Sequence, residues 1–441
     1  MYKTIANDLL DFIKHSPTAF HTIHSIRMRL KKYGYEELCE GLDWNLEKGG
    51  RYYVTRNLSS IIAFELGDDL SEYTYNIVAA HSDSPTYKLK ENYELKDDHY
   101  LRINTEGYGG MIDNTWFDRP LSIAGRVIVQ NGDTLTSRLL TIDKDLMMIP
   151  NVAIHMNRDV NSGYNYNRQV DLIPLLGGKE AKSGELKQLI AEELRVDQED
   201  IVGSDLFLYN RQAPSIWGLH EEFISSGHLD DLQCVYSALS ALLKGGSKRS
   251  INVMAIFDNE EVGSLTKQGA DSTFLEDTLR RINRSLGKSD DDFAKAVAGS
   301  FMVSADNAHA VHPNHPEHTD KTNCTYMNEG IVIKSHANQK YTSDGMSVAM
   351  FKQFAKMADA PLQYFANRSD KVGGSTLGNL SQAHLSLNTV DVGLPQLAMH
   401  SAYETAGIKD TYYMIETLKK LYTSHISVID NTHLNISKDE K

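Results

Sequence analysis

Apolar positions recur at helical spacing from the start of the chain, with Ile5, Leu9, Leu10, Phe12 and Ile13 on one broad face. Ser16-Pro17 predicts an end to that helix, and Ala19 to Tyr33 resumes the pattern. The period then shortens. RYYVTRN, SSIIAFEL and YNIVAAHSDS predict strands, the last a near-continuous apolar run ending in polar residues, as a buried central strand would.

From Tyr87 to Trp217 short alternating stretches (YLRINTE, LSIAGRVIVQ, TLTSRLLTI) are separated by turn residues, which predicts an antiparallel or barrel-like module. It also holds NVAIHMNRD and one charged helix, SGELKQLIAEELRVD. Beyond Gly227 the α/β rhythm returns. LDDLQCVYSALSALLKG predicts a helix, and INVMAIFDNEEVGS and VAGSFMVSADNAHA predict strands running into loops. The simplest architecture is an α/β domain, residues 1–86 and 220–441, interrupted by a β-rich module over 87–219.

Composition changes this picture little. The 441 residues are 41% hydrophobic and 24% charged, ordinary for a globular chain long enough to bury a core without disulfides. Cys39, Cys234 and Cys324 are far apart and form no Cys-x-x-Cys pair, which argues against thiolate zinc and fits a reducing cytoplasm. The first residues lack the pattern of a signal peptide, and no apolar run is long enough to span a membrane. A net charge of −14 argues against nucleic acid as a partner. An acidic substrate would need a local basic pocket.

The polar residues that end the strands are the candidates for chemistry, because the crevice beyond strand carboxyl ends is the usual ligand site of open α/β sheets. His81-Ser82-Asp83 supplies an imidazole that could ligate a metal and a carboxylate that could steady it. Asp230, in Gly227-His228-Leu229-Asp230-Asp231, is either a helix N-cap or a carboxylate bridging two ions. Of Glu260 and Glu261, one could ligate while the other accepts a proton from the attacking water; the residues alone leave the order open. Asp306 and His400 follow further apolar runs. Two histidines, three carboxylates and a further glutamate would serve two divalent ions, and a donor set of nitrogen and oxygen suits zinc, cobalt or manganese. His309, His312, His315 and His318 form a second run, but Pro313 and Pro316 oppose a helix that would align them, so a loop is expected.

HSDSP, LDD, DNEEVGS, SADNAHAVHPN, GGSTLG and DVGLPQLAMHS together resemble the M18 metallopeptidases, the aspartyl aminopeptidase family; with HSPTAFH near residue 15 the likeness spans nearly the whole chain. The resemblance implies a mixed-sheet metallopeptidase domain interrupted by a β-rich dimerisation domain. It further implies peptide substrates, and dimers that assemble into a tetrahedral dodecamer. His81 and Asp306 would hold one metal, Glu261 and His400 the other, and Asp230 would bridge them. Glu260 would be the general base and Asp83 would support His81. His155, from the inserted domain, would reach a neighbouring subunit's site and steady the oxyanion. Lys334 would meet an acidic side chain, and Gly373, Gly374, Ser375 and Thr376 would line the substrate. Tyr403 stands where eukaryotic aspartyl enzymes typically carry an arginine, which weakens the transfer of acidic preference. An N-acyl amino acid deacylase and a non-catalytic metal-binding scaffold are the alternatives.

Overall fold

The computed structural model describes residues Met1–Lys441. Its frame is a nine-stranded mixed sheet, ordered Glu36–Leu38, Arg51–Arg56, Ser60–Glu65, Ser250–Phe257, Thr74–His81, Phe301–Ala305, Asn388–Gly393, Ile331–Lys334 and Leu362–Phe365. The four strands from Ser250–Phe257 to Asn388–Gly393 run parallel and the flanking strands introduce antiparallel pairs. Parallel neighbours need crossovers, and the helices that make them cover both faces, so the central strands read as continuous apolar runs.

Alternation along each strand divides the core. Val78, Ala80, Met254, Ile256 and Val303 pack with the helices Tyr2–Lys14, Leu229–Leu242, Gly345–Met357 and Asp410–Tyr422. Ile77, Ala79, Val253, Ala255, Phe257 and Met302 pack with Phe274–Ser285, Asp290–Ala298 and Leu377–His384 on the other face. Register pairs Ile77 with Val253 and Val78 with Val303, so β-branched side chains stack across the sheet. Truncating such a residue to alanine would cost about 2–5 kcal/mol.

Between Thr86 and Asn210 a six-stranded antiparallel sheet runs in the order Thr134–Thr141, Leu121–Asn131, Ile201–Asn210, Thr86–Lys96, Leu101–Tyr108 and Leu175–Gly177. Its buried cluster, built around Tyr87, Trp116, Ile123 and Leu208, draws one residue, Ala402, from elsewhere in the chain. The charged segment forms the helix Glu185–Leu194, as its pattern predicts. NVAIHMNRD forms no strand but an exposed turn that runs into the short 3-10 helix Arg158–Asn161. A five-stranded sheet (Ser215–Trp217, Phe223–Ser226, Glu404–Gly407, Pro395–Leu397, Ala308–His309) closes the rim beside the central strand ends. None of the helices is long and apolar enough to cross a membrane.

Candidate metal centre

Register places His81 opposite Phe257 at the carboxyl ends of adjacent parallel strands, while Ser304 and Ala305 pair with Asp391 and Val392. His81, Asp258–Glu261 and Asp306 therefore leave the sheet at one edge. His400 comes from the loop between Pro395–Leu397 and Glu404–Gly407, and Asp230 from the segment after Phe223–Ser226. The helix pattern expected from Leu229 onward is broken at its start: Asp230 (φ −81°, ψ 110°) and Asp231 (φ −117°, ψ 20°) are not helical. Asp230 is thus not a simple N-cap. Its backbone N–H donates to Glu404 Oε2 at 3.0 Å, which holds it out of the helical path.

The site gathers into overlapping groups, two of which share Asp230, while His81, Glu260 and Glu261 form a third. His81 Nε2 lies 3.4 Å from Asp230 Oδ1 and 3.9 Å from Asp306 Oδ1. His400 Nε2 lies 3.6 Å from Asp230 Oδ2 and 3.3 Å from Glu261 Oε2. Both imidazoles are oriented by what holds their other nitrogen. His81 Nδ1 is 3.0 Å from the Asp83 carbonyl oxygen and His400 Nδ1 is 2.6 Å from the Gly110 carbonyl oxygen. A carbonyl only accepts, so each Nδ1 carries a proton and Nε2 is the nitrogen that each ring turns to the centre.

Asp83 faces His81 and also reaches the next loop. Its carboxylate stands 3.5 Å from His81 Nδ1, farther than its own carbonyl, and accepts the backbone N–H groups of Glu260 (3.1 Å) and Glu261 (3.2 Å). Asn259, in a left-handed conformation (φ 62°), makes the turn that aims those two N–H groups at it. His400 is likewise left-handed (φ 66°), a conformation that costs a non-glycine residue energy and clusters at functional sites.

Electrostatics tests whether these residues fit a cation. Asp230, Asp231, Asp306 and Glu261 crowd a buried space, and Asp230 Oδ1, Asp231 Oδ1 and Glu261 Oε1 have no hydrogen-bond partner. Burial, then repulsion from Asp230, pushes the Glu261 carboxyl well up. Glu260 is pushed up to about 8 by burial and by Asp306, Asp83 and Asp230, against the pull of His81. Unpaired buried carboxylates are costly unless they are matched by positive charge. Imidazole lone pairs beside orphaned carboxylate oxygens are the donor set of a zinc-class ion, and the residues fit it.

The remaining sequence candidates fall at varying distances from this centre. Lys334 is not a solvent-facing lysine: it is 4% exposed, donates to the Asn307 carbonyl oxygen at 2.8 Å, and lies 3.7 Å from Asp306 Oδ2. Thr376 is buried with its hydroxyl on Asp391 Oδ1 (2.7 Å), whereas Gly374 and Ser375 are exposed in the preceding loop and Gly373 is half-buried. His155 is exposed in the turn of the inserted module and is not among the gathered residues of its own chain.

Sequence reasoning missed three residues. Glu404, 1% exposed, accepts the backbone N–H groups of both Asp230 and His400 (2.8 Å) and so ties two of the gathered segments together. Asp231 accepts the His81 backbone N–H at 3.2 Å. Tyr108, from the inserted sheet, donates to Asp83. The place of Glu404 four residues after His400, and of Asp231 beside Asp230, was the available signal; Tyr108 left none.

Comparison with known proteins agrees with this geometry. The family model described as aminopeptidase I zinc metalloprotease (M18) matches residues 12–422. The chain is 49% identical over 424 residues to a probable M18 family aminopeptidase 2 of Clostridium novyi, covering 95% of this chain and 98% of that one. It is 38% identical over 467 residues to aspartyl aminopeptidase 1 of Schizosaccharomyces pombe, covering 99% and 98%. Among solved structures it superposes on a chain of the cryo-EM Ape4–Nbr1 complex with a TM-score of 0.92 and 37% identity, over 96% of this chain and 86% of that one. It superposes on the S. cerevisiae mApe1 dodecamer with a TM-score of 0.82 and 25% identity, over 96% and 98%. With a family match over nearly the whole chain and relatives at this identity, this protein belongs to the M18 family of zinc metallopeptidases and is an aminopeptidase.

Proposed function

We propose that the chain is a two-metal aminopeptidase that removes N-terminal Asp or Glu from short peptides. The observation that carries the two-metal reading is Asp230, whose two oxygens face different histidines, Oδ1 toward His81 and Oδ2 toward His400. His81 and Asp306 would hold one ion, Glu261 and His400 the other, and Asp230 would span both. Bound divalent ions supply Lewis acidity at the scissile carbonyl and make the attacking water more acidic. Glu260, free of any hydrogen bond to its carboxylate and anchored through its backbone to Asp83, accepts the proton of that water and returns it to the leaving amine. His155 of a neighbouring subunit would donate to the developing oxyanion.

Acidic preference is supported by the aspartyl aminopeptidase relative. A second reading, preference for neutral residues, is favoured by two observations. Lys334 already faces the Asp306 carboxylate, and Tyr403 turns its hydroxyl to the Ala213 carbonyl oxygen (2.9 Å) and Ser215. The loop of Gly373, Gly374, Ser375 and Thr376 offers backbone donors to the substrate in either case.

Residues 87–219 would form a dimerisation domain inserted into the proteolytic domain of residues 1–86 and 220–441, a reading supported by the separate buried cluster of the inserted sheet. By analogy with the mApe1 dodecamer, twelve chains of 49.5 kDa would assemble to roughly 600 kDa. Three unpaired cysteines support a reducing, cytoplasmic setting. The test is a kinetic panel on zinc-reconstituted protein with Asp-, Glu-, Leu- and Lys-initiated peptides and their N-acetylated forms. Turnover of free-amine peptides that stops on chelation supports the aminopeptidase, and the Asp/Leu ratio decides the preference. Turnover of acylated substrates alone would make the protein a deacylase.

A further inference from the structure

The histidine-rich loop between the strands Ala308–His309 and Ile331–Lys334 contributes none of the gathered residues of the buried centre beyond the preceding Asp306. It folds as a loop, as its prolines require, with a single short turn at Pro316–His318. That loop nevertheless aligns its side chains. The rings of His312 and His315 lie 5.3 Å apart at 36°, and those of His315 and His318 5.5 Å apart at 25°. Glu317 Oε1 lies 3.0 Å from His315 Nδ1 and 4.0 Å from His318 Nε2, and one donor atom from each of the three falls within 4.8 Å of the others.

These separations can be compared with what an ion demands. Tetrahedral zinc with bonds of ~2.0–2.1 Å places its ligand atoms about 3.3 Å apart. The His315–Glu317 pair is already near that spacing, and His318 needs to close on Glu317 by less than ~1 Å, within reach of rotation of an exposed side chain. The backbone beneath them is held. His315 N–H donates to the His312 carbonyl oxygen (3.0 Å) and His318 N–H to that of His315 (3.2 Å). The Arg368 guanidinium donates to the Glu317 carbonyl oxygen while paired with Asp370 at 2.8 Å. Little chain entropy is therefore left to lose on binding. His312 is occupied differently, its Nδ1 accepting the Asn314 N–H at 3.2 Å.

We propose that His315, Glu317 and His318 form a surface site for one divalent transition-metal ion per subunit, separate from the buried centre, with water completing the coordination. Two imidazoles and one carboxylate select the zinc, nickel and cobalt class over calcium and magnesium, which take all-oxygen sets. An ion there exchanges with solvent, since all three ligands are exposed.

The test compares full-length zinc-loaded protein with His315→Ala/His318→Ala, Glu317→Gln and His312→Ala, titrating each with Ni²⁺ by calorimetry and counting bound metal per subunit. The expected result is one further ion in wild type and in His312→Ala. The double variant should lose it and Glu317→Gln should bind it more weakly, while peptide hydrolysis and the tightly held zinc stay unchanged in all. Equal stoichiometry in wild type and the double variant overturns the site, and so does loss of the ion in His312→Ala alone. Glu317→Gln keeps the test intact should the double variant fold poorly. The difference between wild type and variants is read whatever the buried centre does, so it stands or falls apart from the peptidase reading.

Discussion

The phenol of Tyr108 donates to Asp83 Oδ2 at 2.7 Å and accepts from Asn259 Nδ2 at 2.8 Å. One hydroxyl of the inserted sheet thereby braces the carboxylate that anchors the backbone of Glu260 and Glu261. Tyr108→Phe keeps the ring against Phe207 but removes the brace. A loosened Glu260 should lower kcat roughly tenfold, about 1.4 kcal/mol of barrier, with KM little changed. Steady-state kinetics checks this; a rise in KM at constant kcat would show that Tyr108 acts on substrate binding instead.

Glu260→Gln keeps the shape of the side chain and removes its basicity. Turnover should fall by about 10²–10⁴ while metal content matches wild type. Metal analysis beside single-turnover kinetics separates this from loss of the ions, and near-normal turnover would exclude Glu260 as the base.

Asp230→Asn removes the carboxylate whose two oxygens face different histidines. Bound metal should fall further than in His400→Ala, which leaves His81, Asp230 and Asp306 in place. Chelation of wild type should lower Tm, because three buried carboxylate oxygens without partners lose their cation, and zinc should restore it. Metal counts and thermal melts on the same samples decide the matter.

His21 links the helix Ala19–Lys32 to the inserted sheet, with Thr18 Oγ1 2.8 Å from Nδ1 and Thr141 Oγ1 2.8 Å from Nε2. Burial, then the charge of His24, lowers its pKa from 6.5 to about 4. The unfolded chain takes up the proton first, so the contribution of His21 to stability is fully present above pH 6.5 and is lost as pH falls toward about 4. Denaturant unfolding between pH 4 and 7 should show a weaker pH slope in His21→Gln than in wild type. An identical slope would remove His21 from the account.

Much of the fold was legible because it is written in local periodicity. The apolar run ending in HSDS marked a buried central strand, those ending in DNEE and SADN marked strands running into loops, and the shift to short alternating pieces after Tyr87 marked the second sheet. Strand order was not legible: Ser250–Phe257 lies between Ser60–Glu65 and Thr74–His81, against the order of the chain. Pairing across nearly two hundred residues leaves no spacing to read.

At the centre, the sequence by itself determined which residue types end the strands, and hence that His81, Glu260, Glu261 and Asp306 would share one edge. Tertiary structure decided which atoms meet. It brought Glu261 rather than Glu260 beside His400, turned the Asp83 carboxylate to two backbone N–H groups, and set Lys334 against Asp306. It also supplied Gly110 to orient His400 and Glu404 to hold Asp230, partners 290 and 174 residues away. Strand periodicity is a property of neighbours along the chain, whereas a hydrogen bond is set by direction and distance in space, and only packing of the whole chain fixes those.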